Sequence, residues 1–387
     1  MTEVHIIGSG ETKFGEMWDR SLRELAVEAG LKAVEDAGIY SRDIGILYGS
    51  SSLAGTLNLQ NDIGSLLADF SGIASNGIPA VRIESSSSSG AAAVREAYLA
   101  IRSGEYDVAM VGGVEKMIDI YGSEILDIVG TTLDREWETF FGGTPAAMAA
   151  ISARKYMHDF KVGKEAMSMI SVNDHANASK NPNAHYRNKI TLEAAMKSTP
   201  VADPLNLMDC SPISDGAAAL ILASEKFARS VGKDGVRIKS SAIAQDYLAL
   251  HSRDSIYTLN STILAGKTAF EKAGLKHSDV SFVELHDSYS IYGLMELEDL
   301  GFCKKGKASE LVMDDIGLTS SLPVNPSGGL KAKGNPMGAT GVGQFVEGYL
   351  QIRGKAGERQ VKNASTGLLH SMSGTGSTSV VHILGGA

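Results

Sequence analysis

The stretch "GLKAVEDAGIYSRDIGILYGSS" (residues 30–51) returns 236 positions later as "GKTAFEKAGLKHSDVSFVELHDS" (266–288). Gly30 falls on Gly266, Ala33 on Ala269, Glu35 on Glu271, Ala37 on Ala273, Gly38 on Gly274 and Asp43 on Asp279. Apolar positions also match: Val34 with Phe270, Ile44 with Val280 and Ile46 with Phe282. Both copies read as a helix closed by a C-cap glycine and followed by an apolar strand. A second echo pairs "REAYLAIRSG" (95–104) with "VEGYLQIRGK" (346–355), and a weaker third pairs "DGAAALILAS" (215–224) with "GSTSVVHILG" (376–385). Three echoes in one order point to two copies of a single α/β unit. The halves are expected at 1–235 and 236–387. Residues from about 118 to 200 have no counterpart and read as an inserted, partly helical segment that covers a substrate site.

With 387 residues, 43% hydrophobic and 21% charged, the composition is that of an ordinary globular chain. A formal charge of −9 argues against nucleic acid as the main ligand. No apolar run approaches the roughly 18–20 residues of a membrane span. The opening "MTEVHIIGSGETKFG" lacks the features of a signal peptide. Cys210 and Cys303 are the only cysteines and have no C-x-x-C spacing, so disulfides and cysteine-zinc sites are not expected and a reducing cytoplasm is. No His/Cys/Asp cluster has the spacing of a metal site. His5 and His382, each inside a strand pattern, read as structural. "GSGETKFG" (8–15) follows a strand but lacks the helix of a dinucleotide fingerprint.

Five consecutive serines, Ser85 to Ser89, stand in "VRIESSSSSGAAAVREAYLAIRSGE" (81–105). A strand pattern precedes them and a helix pattern follows without a spacer, so they form a strand-to-helix elbow and not a linker. Such elbows place helix-end amides beside a reactive group.

The duplicated unit and this elbow, with "HDSYSIYGLMELEDLGFC" (286–303) and "NPSGGLKAKGNPMGATG" (325–341), resemble the thiolase superfamily over the whole chain. The nearest branches are the archaeal acetoacetyl-CoA thiolases and the sterol-carrier-type thiolases. The resemblance implies the thiolase fold: two pseudo-symmetric βαβαβαββ halves in a layered αβαβα core, with an inserted loop domain. It also implies site residues. Glu84, Ser89 and Gly90 match the family's E-A-A-C-A-S-G-G elbow and place Ser87 on the nucleophilic Cys. Asn335, in "GNPMGATG", falls on the activating His of G-H-P/A-x-G-A-T-G. His286 matches a His that lines an oxyanion hole, and His370 matches the base for the α-proton of the second acyl-CoA. The Met372 backbone N–H would join the N–H of Ser87 in the second oxyanion hole, and Ser211 would lie against CoA.

A serine hydroxyl needs an adjacent strong base to become a nucleophile, and an amide cannot accept a proton at neutral pH. The expected activity is therefore thiolase-type acyl-CoA C-acyl transfer, of the acetyl-CoA/acetoacetyl-CoA kind, weakened or lost. One alternative is a non-catalytic acyl-CoA-binding or scaffold subunit. Another is non-covalent enolate chemistry, aldol or retro-aldol, carried by His286, His370 and Tyr289. The resemblance implies CoA esters as substrates, no permanent cofactor, and a homodimer or dimer of dimers. It also implies association with a small zinc-ribbon/OB-fold protein and hydroxymethylglutaryl-CoA synthase.

Overall fold

Gly38 and Gly274 both take φ 66°, the left-handed conformation that closes helix α1 (Leu22–Ala37) and its repeat in the second half. One short 3-10 turn follows each glycine. Asp43 accepts a hydrogen bond from the Tyr40 N–H (2.8 Å), and Asp279 accepts one from the Lys276 N–H (2.7 Å). The repeated glycine and the repeated aspartate thus set the same exit geometry twice. A computed structural model describes residues 2–120 and 122–386.

Apart from a two-stranded ribbon, Pro200–Ala202 with Leu205–Asn206, the strands of the described residues form one nine-stranded mixed sheet. In chain order they are β1 (Val4–Glu11), β2 (Ile46–Ser50), β3 (Ala80–Ile83), β4 (Val108–Glu115), β5 (Gly216–Ser224), β6 (Val236–Gln245), β7 (Phe282–Glu284), β8 (Thr366–Met372) and β9 (Thr378–Gly385). Across the sheet the order is β3-β2-β4-β5-β1-β6-β9-β8-β7. The first half therefore runs outward from β1 through β5, β4 and β2, and the second runs outward from β6 through β9, β8 and β7. The counterpart of β3 is reduced to a single bridge between Val283 and Val324. The halves meet where β1 pairs with β6, Ile6 opposite Val236.

Helices α2 (Ser89–Ser103) and α3 (Met337–Ile352) repeat one another and touch strands of both halves. They form the middle layer, which is why α3 is apolar almost all round and buried nearly throughout. Helix α1 covers the first half-sheet, and the helix Asn260–Ala273 covers the second. The layers are thus helix, sheet, helix, sheet, helix. The segment expected to be an insertion holds two further helices, Pro145–Phe160 and Lys164–Ala178, which pack on the helix Ser290–Asp299.

The middle helices meet at glycines. A Cβ on Gly341 would lie 2.4 Å from the Ala91 backbone nitrogen, and one on Gly90 would lie 2.8 Å from the Val342 nitrogen. Only hydrogen fits between these backbones. Replacing Gly341 with alanine should cost about 1–3 kcal/mol, the usual range for overpacking. Urea unfolding monitored by circular dichroism checks this; an unchanged midpoint would mean the two helices stand further apart.

Candidate functional site

Ser87 lies two residues before the first turn of α2, after Ser86, which sits at φ 50°. That left-handed turn is strained for a residue with a side chain. It is held by the Glu84 carboxylate, which accepts from the Ser86 N–H (2.5 Å), and by Ser89 Oγ, which accepts from the Ser85 N–H (2.8 Å) and donates to the Ser86 carbonyl (2.5 Å). The serine run is thus largely local bonding that shapes the elbow. Ser87 is buried, and its hydroxyl donates to the Met372 carbonyl at 2.9 Å. The contact to Met372 is made by that carbonyl. Ser88 and Ser373 share a hydrogen bond of 2.8 Å, and Ser373 Oγ donates to the Ser85 carbonyl (2.6 Å), so the elbow is fastened to the end of β8.

Asn335 stands just before α3. Its Nδ2 donates to Ser211 Oγ (3.3 Å), its Oδ1 accepts from Thr340 Oγ1 (2.9 Å), and its N–H donates to Ser214 Oγ (3.3 Å). Asn335 and Ser211 are therefore neighbours, and the Ser211 N–H donates to the Ser288 carbonyl (2.8 Å) in the His286 loop. That loop holds the glycine-rich segment through adjacent acids. Glu284 accepts from the N–H and hydroxyl of Ser327 (2.8 and 2.6 Å), and Asp287 accepts from the Leu330 N–H (2.9 Å).

His286 and His370 are brought together around Glu296. Glu296 Oε2 accepts from the His286 N–H (2.8 Å) and lies 3.1 Å from His370 Nδ1. His370 Nε2 faces Thr262 Oγ1 (3.1 Å) and Ser379 Oγ (3.3 Å), while His286 Nδ1 has no hydrogen-bond partner. Gln344 of α3 donates to both the Leu285 and the His370 carbonyls (2.9 Å each), which locks the segment after β7 beside strand β8. His370 and Met372 are two residues apart on one strand, roughly 7 Å. No hydrogen bond among the described residues joins Ser87 to Asn335, His286 or His370. The four positions share one region as two separate contacts and one histidine pair, and not as a single relay.

Burial holds both imidazoles far below their ordinary range, each at about 3, and raises the Glu296 carboxyl. At neutral pH the two imidazoles are uncharged, beside a carboxyl that burial pushes above its ordinary range. Neither cysteine offers a substitute nucleophile. Burial pushes both the Cys210 and the Cys303 thiols up to about 12, so neither is a thiolate at neutral pH.

Family models match almost the whole chain: a thiolase N-terminal domain at residues 4–226 and a thiolase C-terminal domain-like model at 242–386. The chain belongs to the thiolase family. Among its relatives are the acetyl-CoA acetyltransferases of Methanothermobacter thermautotrophicus, 44% identical over 99% of both chains, and of Methanocaldococcus jannaschii, 45% identical over 99% of both. Human sterol carrier protein 2 is 31% identical over 98% of this chain and 71% of its own. A solved structure titled Ltp2-ChsH2(DUF35) aldolase superimposes with a TM-score of 0.85 at 26% identity, over 99% of this chain and 98% of that one. The Syntrophomonas wolfei acetyl-CoA acetyltransferase, 17% identical with a TM-score of 0.76 over both full chains, shares the fold.

Relative to this thiolase-family framework, sequence reasoning missed Glu296, Gln344 and Thr262. Glu296 did carry a signal: it is an acid within "SIYGLMELED", a helix apolar enough to be buried. Thr262 carried none. Among the described residues no helix is long and apolar enough to cross a membrane.

The buried histidines have a measurable consequence. Their ring resonances should not move between pH 8 and 5 in a 15N-resolved titration of the folded protein. A group depressed in the folded state takes up a proton only on unfolding, so its contribution is complete above about pH 6.5 and is lost as pH falls toward 3. Each should make stability drop by up to about 1.4 kcal/mol per pH unit in that window. His370→Gln should remove one such increment from the pH slope of the unfolding free energy.

Proposed function

We propose that this thiolase-family protein binds a CoA ester and polarises its carbonyl without passing efficiently through an acyl-enzyme, so that acetyl-CoA/acetoacetyl-CoA transfer is weak or lost. One observation carries the reading. The Ser87 hydroxyl, at the nucleophile position, gives its hydrogen to a backbone carbonyl and has no base within hydrogen-bonding reach. Asn335, at the position of the activating imidazole, is an amide already engaged with Ser211 and Thr340. Covalent catalysis by serine needs a base that both accepts the proton and returns it.

His286 supports the remaining part. Its Nδ1 is buried and unpartnered, and a neutral imidazole there can donate to the oxygen of a thioester or enolate. In this reading the backbone N–H groups of Ser87 and Met372 form the second donor pair, and Ser211 rests against the CoA. His370, with Glu296 behind it, moves the α-proton. The substrate is an acyl-CoA, with no resident cofactor.

A second reading is favoured by the likeness to the Ltp2-ChsH2(DUF35) aldolase. In it the same donors stabilise the enolate formed when a β-hydroxyacyl-CoA breaks its Cα–Cβ bond. The β-hydroxyl proton leaves as a carbonyl compound forms, and the α-carbon is then protonated to give a shortened acyl-CoA. Tyr289 and His370 are the groups that would move these protons. A small zinc-ribbon/OB-fold subunit, or a synthase of the hydroxymethylglutaryl-CoA kind, would be the partner of a homo-oligomer in either reading.

Purified protein given acetoacetyl-CoA and CoA should yield little acetyl-CoA, and mass spectrometry should find no acyl adduct on Ser87. Turnover in the range of about 1–1000 per second would overturn the proposal. Ser87→Cys combined with Asn335→His should raise the rate by at least about tenfold, since it restores a thiolate and its base. Release of a carbonyl compound from a β-hydroxyacyl-CoA without added CoA would establish the aldol reading over simple binding.

A further inference from the structure

At the opposite end of β1 from the CoA-ester site, three chain segments meet. The start of β1 lies between the end of β5 and the start of β6: Val4 pairs with Ser224, and His5 pairs with Ala223 on one side and Arg237 on the other. The Glu225 N–H donates to the Glu3 carbonyl (3.0 Å). Glu3 and His5 are two apart in extended chain, so their side chains share a face, and Glu225 enters that face from the turn after β5. One ligand atom from each of Glu3, His5 and Glu225 lies within 4.8 Å of the other two.

His5 is the unusual member. It is only 5% exposed, and its Nε2 has no hydrogen-bond partner. The nearest carboxylate oxygen on it, Glu3 Oε2, stands 3.8 Å away, beyond hydrogen-bonding range. A buried imidazole with an open ring nitrogen close to two carboxylates is suited to ligate a metal ion. Glu3 is divided in a matching way: its Oε1 pairs with Arg237 (2.7 Å), which orients the carboxylate, while its Oε2 faces the imidazole. Glu225 is similarly steadied by Arg229 one turn along its helix.

We propose that Glu3, His5 and Glu225 bind a divalent transition-metal ion of the zinc type, with water completing the coordination. One imidazole and two carboxylates suit zinc, cobalt or nickel, whereas magnesium and calcium take oxygen ligands alone. Zinc bonds of about 2.0–2.2 Å to these atoms would need only a modest inward turn of the two glutamates, both partly exposed. His5 lies roughly 20 Å along β1, at about 3.3 Å per residue, from Glu11, whose carboxylate pairs with Lys333 of the glycine-rich segment (2.9 Å). The ion would therefore act as a clasp between the chain's first strand and the β5 and β6 strands around it, independently of the reaction. Glu3 and His5 lie 222 and 220 positions from Glu225 in sequence, which is why ligand spacing alone did not reveal the site.

The test uses the tag-free full chain stripped with chelator. Cobalt(II) titration should give a visible absorption band that saturates at one ion per chain, and zinc should raise the unfolding temperature by roughly 2–8 °C, because it binds the folded state alone. Glu225→Gln, at a partly exposed position, should unfold in chelator as the parent does yet lose the cobalt band and the zinc shift. His5→Gln should do the same; if it does not fold, Glu225→Gln and Glu3→Gln decide. Glu193→Gln, an exposed acid elsewhere, should keep both signals. Absence of the band in the parent, or equal zinc shifts in parent and Glu225→Gln, would overturn the site.

Discussion

The backbone contact between α2 and α3 at Gly90 and Gly341 is the constraint on which the other features rest. Two sheets can share one buried layer only if the helices between them approach closely, and a Cβ at either glycine would separate them. The same contact has a chemical consequence. It places the first turn of α2, with the serine elbow, against the first turn of α3, with Asn335 just before it. Glu115 reinforces the arrangement from β4. Its carboxylate accepts from Ser51 Oγ (2.7 Å), from the N–H groups of Ser52 (2.8 Å) and Leu53 (3.0 Å), and from the Gly338 N–H (2.8 Å). A buried acid with four donors ties the start of α3 to the first half-sheet, so packing and site geometry come from one set of atoms.

Much of this architecture was legible because duplication writes each constraint twice. Gly38 and Gly274 could each be a chance glycine; together, with Asp43 and Asp279 at equal distances behind them, they define the same helix exit. The matched helices "REAYLAIRSG" and "VEGYLQIRGK" proved to be the middle layer. The stub at Val324 was not legible, because its pairing is one bridge long and leaves no strand pattern. Nor was the joining of the halves through β1 and β6, since an edge pairing between two strands of different units has no periodic signature.

The site divides in the same manner. Positions within long motifs could be given a place in the fold from sequence, because their neighbours fix the register. Partners contributed singly from other elements could not. Thr262 reaches His370 from an outer helix, and Gln344 reaches two carbonyls from the middle of α3. Those contacts depend on which helix face turns inward, a property of the assembled layers. Sequence also could not say how the serines would be used. The structure engages Ser85, Ser86, Ser88 and Ser89 in hydrogen bonds that hold Ser86 in a strained turn, and sends the Ser87 hydroxyl to Met372.

That distribution bears on why, in the proposed reading, a hydroxyl at position 87 differs from a thiol by more than one atom. A thiol is a weak donor and is buried as a small apolar group, so an elbow built around it can leave the sulfur facing a substrate. A buried hydroxyl must find an acceptor, and one left without a partner costs about 1–3 kcal/mol. The Met372 carbonyl supplies that acceptor, and the bond turns Ser87 Oγ toward the β8 strand end. Attack on a thioester would require breaking this bond with no base to take the proton. A neutral imidazole at His286 meets no such obstacle, since donating a hydrogen bond to an enolate oxygen asks nothing of Ser87 and adds no charge to the buried ring. In the proposed reading the neutral donors of the site serve an enolate better than an acyl-enzyme, because the hydroxyl at position 87 is committed to its own hydrogen-bond partner.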